Sequence, residues 1–142
     1  MGRVVNTNAP AKRRNHLMRT IAEILRGLSQ KKSVDDEARD MVATIILSLQ
    51  EIDETIGESV KAWEKRNYYK KADDFQEKWW WCQAHRPALE KVLREDKWEE
   101  LPTIMLKLLP YFSDIEINKA MRSERDWLGN YERVMPLLTQ QK

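Results

Sequence analysis

Apolar residues recur at helical spacing along most of the chain. Between residues 17 and 28 they fall three or four positions apart, and the same spacing returns over residues 42–63. A repeat of this kind places the apolar side chains on one face of an α-helix. It predicts a first helix over residues 9–29 and a long second helix over residues 34–66.

The expected helix ends rest on capping residues and on breaks in the apolar pattern. Asn8 and Ser33 have side-chain oxygens suited to the N-cap positions of the first and second helices. A third apolar stripe, over residues 72–93, is out of phase with the second, which predicts a turn near residues 67–70 or one bent continuous helix. Pro87 lies inside the third stripe, so we expect it to kink or split that helix.

The C-terminal part of the chain continues with two further apolar patterns. Asp96 is the expected cap of a fourth helix over residues 98–109, with Pro102 in its interior. A fifth helix is expected to use another set of apolar residues: Ile117, Met121, Leu128, Tyr131, Met135 and Leu138. Gly129 and Pro136 interrupt this last pattern because both are unfavourable inside a helix.

These elements together predict an all-α fold, an antiparallel up-down bundle of four to five helices around a long central helix 2. Glycine and proline, which interrupt helices, number only 4 and 5 among 142 residues, in agreement with that class. We expect residues 1–8 to be a disordered N-terminal lead. Residues 9–142 then form one domain, in which residues 113–142 are a looser C-terminal helix.

Composition argues against several classes of protein. The longest uncharged run, residues 41–50, is too short to cross a bilayer, and the first residues lack the apolar segment of a signal peptide. The chain has one cysteine, Cys82, and therefore no internal disulfide. We expect a cytoplasmic protein with no membrane partner.

Charge is nearly balanced overall but uneven along the chain. Residues 1–32 contain eight basic residues and one acidic residue, whereas residues 33–60 contain eight acidic residues and one basic residue. A basic stretch at the start of a chain is one mark of nucleic-acid binding. The simpler explanation is that the first two helices lie side by side and neutralise each other.

Six tryptophans are the most unusual feature of the composition, and three of them are consecutive. Successive residues of a helix point about 100° apart, so Trp80 and Trp81 leave the apolar stripe on either side of Trp79. With Ala84 and Ala88 they outline a second apolar face. Either the third helix is central and packs on both sides, or this face is exposed and binds a second copy or another protein.

A second candidate surface combines aromatic rings with positive charge over residues 61–71. Tyrosine rings can stack on the bases of a single-stranded nucleic acid while lysine and arginine side chains hold its phosphates. The candidate nucleic-acid-binding residues are Arg13, Arg14, Lys65, Arg66, Tyr68, Lys70 and Lys71. An ordinary corner between helices, with basic side chains shielding the rings, is the other explanation of the same pattern.

Neither a metal site nor a catalytic site is expected. Acidic residues cluster at residues 51–54 and 73–77, but His16 and His85 are the only histidines and neither completes a Glu-x-x-His pair. Cys82 lies on an apolar stripe three residues before His85, and we interpret it as a buried hydrophobic residue rather than a nucleophile. The sequence has no glycine-rich phosphate-binding loop.

The sequence therefore favours a non-enzymatic protein–protein interaction or scaffold module. We expect it to self-associate as a homo-oligomer, or to bind another protein, through Trp80 and Trp81. The alternative is a nucleic-acid-binding accessory protein that uses the basic first helix and residues 61–71. Neither hypothesis needs a cofactor, a metal or a small-molecule substrate.

Overall fold

The structure, a computed structural model, describes residues 9–140. Its α-helices are α1 (Pro10–Ser29), α2 (Asp36–Lys65), α3 (Tyr69–Lys78), α4 (Trp81–Glu95), α5 (Leu101–Leu108) and α6 (Asn130–Thr139). Short 3-10 helices cover Trp98–Glu100, Leu109–Phe112 and Glu124–Asp126, and no strand occurs within the described range. The predicted all-α class is confirmed. Among these helices none is long and apolar enough to cross a membrane.

Helix α2 is the centre of the bundle and packs against α1, α3, α4 and α6. Its fully buried side chains include Val42, Ile45, Leu49 and Ile52. An ion pair joins Arg13, near the start of α1, to Glu58 of α2, and another joins Lys31, just after α1, to Glu37 near the start of α2. The first two helices are therefore antiparallel, and the predicted pairing of their opposite charges is seen directly at Arg13 and Glu58.

The helix caps differ from the predicted ones. Asn8, like the predicted lead over residues 1–8, lies outside the described residues. At the start of α2 the predicted cap Ser33 is wrong, because Asp35 occupies the N-cap and its carboxylate accepts the backbone N–H of Ala38 at 2.8 Å. A carboxylate at this position also interacts favourably with the positive end of the helix dipole.

Residues 66–68 form the turn between α2 and α3, close to its predicted place. Asn67 has a φ of 65°, a left-handed conformation that asparagine tolerates better than most residues. The second and third apolar stripes therefore belong to separate helices, and the alternative of one bent helix is wrong.

The third predicted helix is two helices, and the break lies at Trp79 and Trp80 rather than at Pro87. In an unbroken helix the side chains of Trp79 and Trp81 would point about 200° apart, whereas their ring centroids are only 5.9 Å apart. The turn thus brings both rings into one cluster. Pro87 stays inside α4, where its missing N–H deprives only the carbonyl of the exposed residue Gln83.

Asp96 ends α4 instead of capping a further helix. Its φ of 57° is left-handed, and its carboxylate accepts a hydrogen bond from Nε1 of Trp98. Helix α5 begins at Leu101, so Pro102 lies in its first turn and not in its interior as predicted. A missing N–H costs no helical hydrogen bond at that position.

Residues 113–129, which we call the strap, contain no α-helix, so the predicted fifth helix is wrong over this part. Arg19 and Arg26 of α1 donate hydrogen bonds to three strap carbonyls, those of Glu116, Ile117 and Lys119. The buried carboxylate of Glu23 accepts the backbone N–H groups of Met121 and Arg122, each at 2.8 Å. Side chains of α1 therefore satisfy backbone groups that a helix would pair internally.

Candidate interaction site

The three consecutive tryptophans lie in different environments. The Trp80 side chain is 59% exposed, whereas Trp81 is 7% exposed. The Trp81 ring stacks on Tyr111 with 4.4 Å between centroids and meets the edge of the Phe112 ring. The 3-10 helix after α5 therefore covers Trp81, which makes it part of the protein's own core.

The predicted docking face of Trp80, Trp81, Ala84 and Ala88 is consequently not one surface, and this prediction is corrected. Ala84 is exposed and Ala88 is half-buried, on a helix that begins only after the turn at Trp80. All four residues belong to α4 or its N-cap, and the face is divided because the Trp81 ring is buried against Tyr111 and Phe112. Of the two predicted tryptophan anchors, Trp80 keeps a largely exposed ring.

A groove lies beside Trp80, between α2 and the junction of α3 with α4. Its volume is about 610 Å³, and its lining includes Asp53, Gly57, Glu77, Trp79, Trp80 and Gln83. A methyl group placed on Gly57 would meet nothing within 4 Å apart from its chain neighbours and the backbone of its own helix. The absence of a side chain at Gly57 therefore helps to keep the groove open. We call this feature the Trp80 groove.

The lining of the Trp80 groove is acidic and aromatic. Asp53 and Glu77 contribute carboxylates, and no Lys, Arg or His is among the described residues that line it. Nε2 of Gln83 donates to the Asp53 carboxylate, at 2.9 Å from its nearer oxygen, which ties α4 to α2 across the groove. Because the faces of indole rings attract cations, this combination suits a basic side chain.

Arg14, a predicted nucleic-acid-binding residue, is buried next to the groove wall. Its guanidinium carbon lies 4.8 Å from the centroid of the Phe75 ring and 5.5 Å from that of Trp79. It donates hydrogen bonds to Oγ1 of Thr55 and Oγ of Ser59. Burial lowers the pKa of Arg14 from its ordinary value. A side chain held in this way is unavailable to a nucleic acid, so the predicted role of Arg14 is corrected to a structural one.

The turn between α2 and α3 forms a second surface, the basic-aromatic corner, which consists of Lys65, Arg66, Tyr68, Tyr69, Lys70 and Lys71. Tyr68 and Tyr69 are 53% and 57% exposed. Nζ of Lys70 lies 3.2 Å from a carboxylate oxygen of Asp74, and both side chains are exposed. The structure thus brings these predicted residues together at one end of the bundle.

Arg13 and Lys71 are engaged within the molecule. Two hydrogen bonds from the Arg13 guanidinium to the Glu58 carboxylate, at 3.2 and 2.7 Å, raise the pKa of Arg13. Nζ of Lys71 lies 4.8 Å from the centroid of the Trp63 ring. Lys71 therefore shields an aromatic ring, as the simpler interpretation of residues 61–71 predicted.

A second groove, of about 470 Å³, lies between α5 and the loop after α1. Leu106 and Leu109 at its edge are 68% and 46% exposed. Its lining is mostly apolar and includes Lys31 and Lys32, with no acidic residue among the described lining. Leu106 provides an exposed apolar residue far along the chain from Trp80 for comparison.

Cys82 is fully buried, and burial raises the pKa of its thiol to about 12. Such a thiol is protonated at neutral pH and is a poor nucleophile. The interpretation of Cys82 as a buried apolar residue is therefore confirmed. Within residues 9–140, no group of three or more His, Cys, Asp or Glu side chains is placed to hold a metal ion.

The residues that shape the Trp80 groove, above all Gly57, Asp53 and Glu77, are not among those predicted from the sequence. Gly57 lies inside a long helical pattern. A glycine at such a position lowers the helix propensity, and it can also mark a site where a side chain would disturb the packing. Asp53 and Glu77 belong to acidic clusters typical of a solvated face. Only the packing of α3 and α4 on α2 places them across one groove.

The chain was compared with profiles of known protein families, with curated proteins and with solved structures. None of the three comparisons gave a match. The chemistry of the Trp80 groove and of the basic-aromatic corner is therefore the basis for inferring a function.

Proposed function

We propose that the protein is a non-enzymatic interaction module that self-associates through the Trp80 groove. The observation that carries this proposal is the Trp80 ring, which is 59% exposed at the edge of an open groove. Tryptophan is among the residues that contribute most to binding when they are buried at the centre of an interface.

The buried, unpaired Cys82 agrees with a reducing compartment such as the cytoplasm.

The free energy available from Trp80 is large for a single side chain. A tryptophan side chain offers roughly 150–250 Å² of surface, and burial contributes about 25 cal/mol per Å². Covering the exposed part of Trp80 is therefore worth about 3 kcal/mol. The ring also lies beside space that the missing side chain of Gly57 leaves open, so a second copy can place its own side chains there.

Self-association is tested by sedimentation equilibrium over a range of concentrations. In Trp80→Ala the ring is lost, and in Gly57→Gln a longer side chain fills the groove. The Gly57 variant should fold normally because its Cβ has room and because glycine is unfavourable inside a helix. We expect each variant to raise the dissociation constant at least about tenfold, which corresponds to ~1.4 kcal/mol.

Leu106→Ala is the matched control, because Leu106 is an exposed apolar residue of the second groove. We expect this variant to associate like the wild type. A wild type that stays monomeric at every concentration, or equal effects of the Leu106 and Trp80 variants, would contradict the proposal.

The second candidate function is binding of a single-stranded nucleic acid at the basic-aromatic corner. The observation that favours it is the exposure of Tyr68 and Tyr69, each more than half exposed, between basic residues on both sides. Exposed rings can stack on bases, and each stacked base contributes about 1–3 kcal/mol. Arg14 has no part in this site, and Arg13 is bonded to Glu58.

A gel shift with single-stranded RNA and DNA at low and moderate salt tests this candidate. Tyr68→Ala with Tyr69→Ala should abolish the shift, whereas the double Phe variant, which keeps both rings, should retain it. The affinity should also fall steeply with salt, because binding to phosphates releases counterions. An unshifted probe at low salt would remove this candidate.

A further inference from the structure

We infer that the Trp80 groove of one copy takes the basic-aromatic corner of a second copy, the two copies being related by a two-fold axis. This inference rests on the proposed function, in which the groove is the site of self-association. It adds the identity of the surface that fills the groove and the symmetry of the pair.

Charge complementarity points to the corner as the occupant. The Trp80 groove presents Asp53 and Glu77 and has no basic residue in its described lining. The corner has exposed basic side chains at Lys65, Arg66 and Lys70, beside Lys71, which covers the Trp63 ring. Surfaces of opposite charge steer association and fix the register of an interface.

The internal partners of the corner leave its charge available. The ion pair of Lys70 with Asp74 joins two side chains that are 88% and 64% exposed, and exposed pairs of this kind contribute little to stability. Lys65 and Arg66 are exposed at the end of α2. An arginine or lysine entering the groove would meet both the indole face of Trp80 and the two carboxylates.

The positions of the two surfaces make the pair self-complementary. Both lie on the hairpin of α2 and α3, with the corner at its turn and the groove towards its other end. Gly57 and Lys65 are eight residues apart on α2, a distance of about 12 Å along the helix axis. A two-fold axis between them places the acidic end of each copy against the basic end of the other, so the same contact forms twice.

A nucleic acid is the less favoured occupant of the corner. Asp73 and Asp74 are both exposed on the first half of α3, immediately after the corner. These carboxylates lie beside any phosphate that the corner would hold, and they repel it.

Charge reversal with rescue tests the inference. The groove variant is Asp53→Lys with Glu77→Lys, and the corner variant is Lys65→Glu with Lys70→Glu. Each variant alone should associate at least about tenfold more weakly than the wild type in sedimentation equilibrium at low salt. An equimolar mixture of the two variants should form a heterodimer with nearly wild-type affinity, because both contacts are again between opposite charges.

Two further variants control for charge and for folding. Lys91→Glu with Lys107→Glu changes the net charge by the same amount as the corner variant, but at exposed lysines of α4 and α5. This control should associate like the wild type. Asp53→Asn with Glu77→Gln removes the groove charges with little change in shape. It should weaken association to an intermediate extent even if the lysine substitutions prevent folding.

The outcomes separate this inference from the proposed function. If the mixture does not recover association while Trp80→Ala still weakens it, the groove takes another part of the second copy and the inference is overturned. If the corner variant associates normally but no longer binds single-stranded RNA, the corner is a nucleic-acid surface instead. A monomeric wild type would overturn the inference and the proposed function together.

Discussion

Arg14 places a positive charge between two aromatic rings and two hydroxyl groups inside the bundle. Burying an ion is unfavourable unless hydrogen bonds and ring faces replace the lost water. A guanidinium meets both needs, because its plane lies over rings while its N–H groups donate in the same plane. A lysine ammonium cannot stack in this way and keeps fewer donors.

Arg14→Lys should therefore lower the free energy of unfolding by about 2 kcal/mol, from lost hydrogen bonds and ring contacts. Chemical denaturation gives this value directly. The adjacent Arg13→Lys is the control, because Arg13 makes a partly exposed pair with Glu58, and such pairs are worth at most about 1 kcal/mol. Equal losses in the two variants would show that the burial of Arg14 is unimportant.

The burial of Arg14 can be predicted from its spacing to apolar residues of α1, although its charge is typical of a surface residue. Arg14 precedes Leu17 by three residues and Met18 by four, so it lies on the apolar face of α1. Arg13, its neighbour, points about 100° away. A run of basic residues does not indicate a binding surface until each residue is placed by its helical phase.

Among the elements, the strap shows how side chains can replace a helix. Its apolar residues have nearly helical spacing, yet Met121 and Leu128 are 67% and 66% exposed. Glu23 is the main anchor of the strap, since its carboxylate binds Arg19, Arg122 and two backbone N–H groups. Burial alone would raise the pKa of Glu23, but hydrogen bonds from Arg122, Arg19 and Met121 outweigh it and lower the pKa.

Glu23→Gln should destabilise the fold by about 2–3 kcal/mol near neutral pH, because a buried charged hydrogen-bond network loses its acceptor. A carboxyl whose pKa is lower in the folded state stabilises the protein above its unfolded pKa, and that contribution is lost as the pH falls through the folded pKa. The wild type should therefore lose stability in acid, whereas Glu23→Gln should lose less over the same range.

Thermal unfolding from neutral pH to about pH 3 measures this difference. Glu116→Gln is the control, because the Glu116 side chain is exposed, and it should follow the wild type. Parallel pH profiles for the wild type and Glu23→Gln would mean that the Glu23 carboxylate does not stabilise the strap.

The turn at Trp79 and Trp80 is the other element that local pattern missed. Proline is the usual sign of a break in a helix, and for that reason the break was predicted at Pro87. The break instead serves tertiary packing, because it brings the rings of Trp79 and Trp81 together, and the Trp81 ring stacks on Tyr111. Trp81 and Tyr111 are 30 residues apart in the chain, and the spacing of apolar residues within one helix does not predict a contact over that separation.

For the whole molecule, the position of α2 predicts where the fold is most stable. Helix α2 contributes to the interfaces with α1, α3, α4 and α6. Amide hydrogen exchange should therefore be slowest over residues 42–56 of α2 and should approach the rate of global unfolding there. The strap and α6 should exchange faster by local opening. Equal protection of α6 and α2 would contradict this order.

The sequence predicted the parts of the molecule that depend on period alone. The all-α class, the approximate extents of α1 and α2 and the turn at residues 66–68 follow from apolar spacing, whereas the start of α2 depends on its cap. The Trp80 groove does not, because it depends on how α3 and α4 fold back along α2. The basic-aromatic corner was predictable since its residues are adjacent in sequence, but its relation to the groove was not.

The unequal burial of the indoles gives the protein an intrinsic optical probe. Trp80 is the exposed member of the six, and the other five are buried or half-buried. Loss of structure shifts the emission of all six rings, whereas filling the groove changes the surroundings of Trp80 and its neighbour Trp79. Quenching by a small solute such as acrylamide therefore follows occupancy of the groove in unlabelled protein, separately from unfolding.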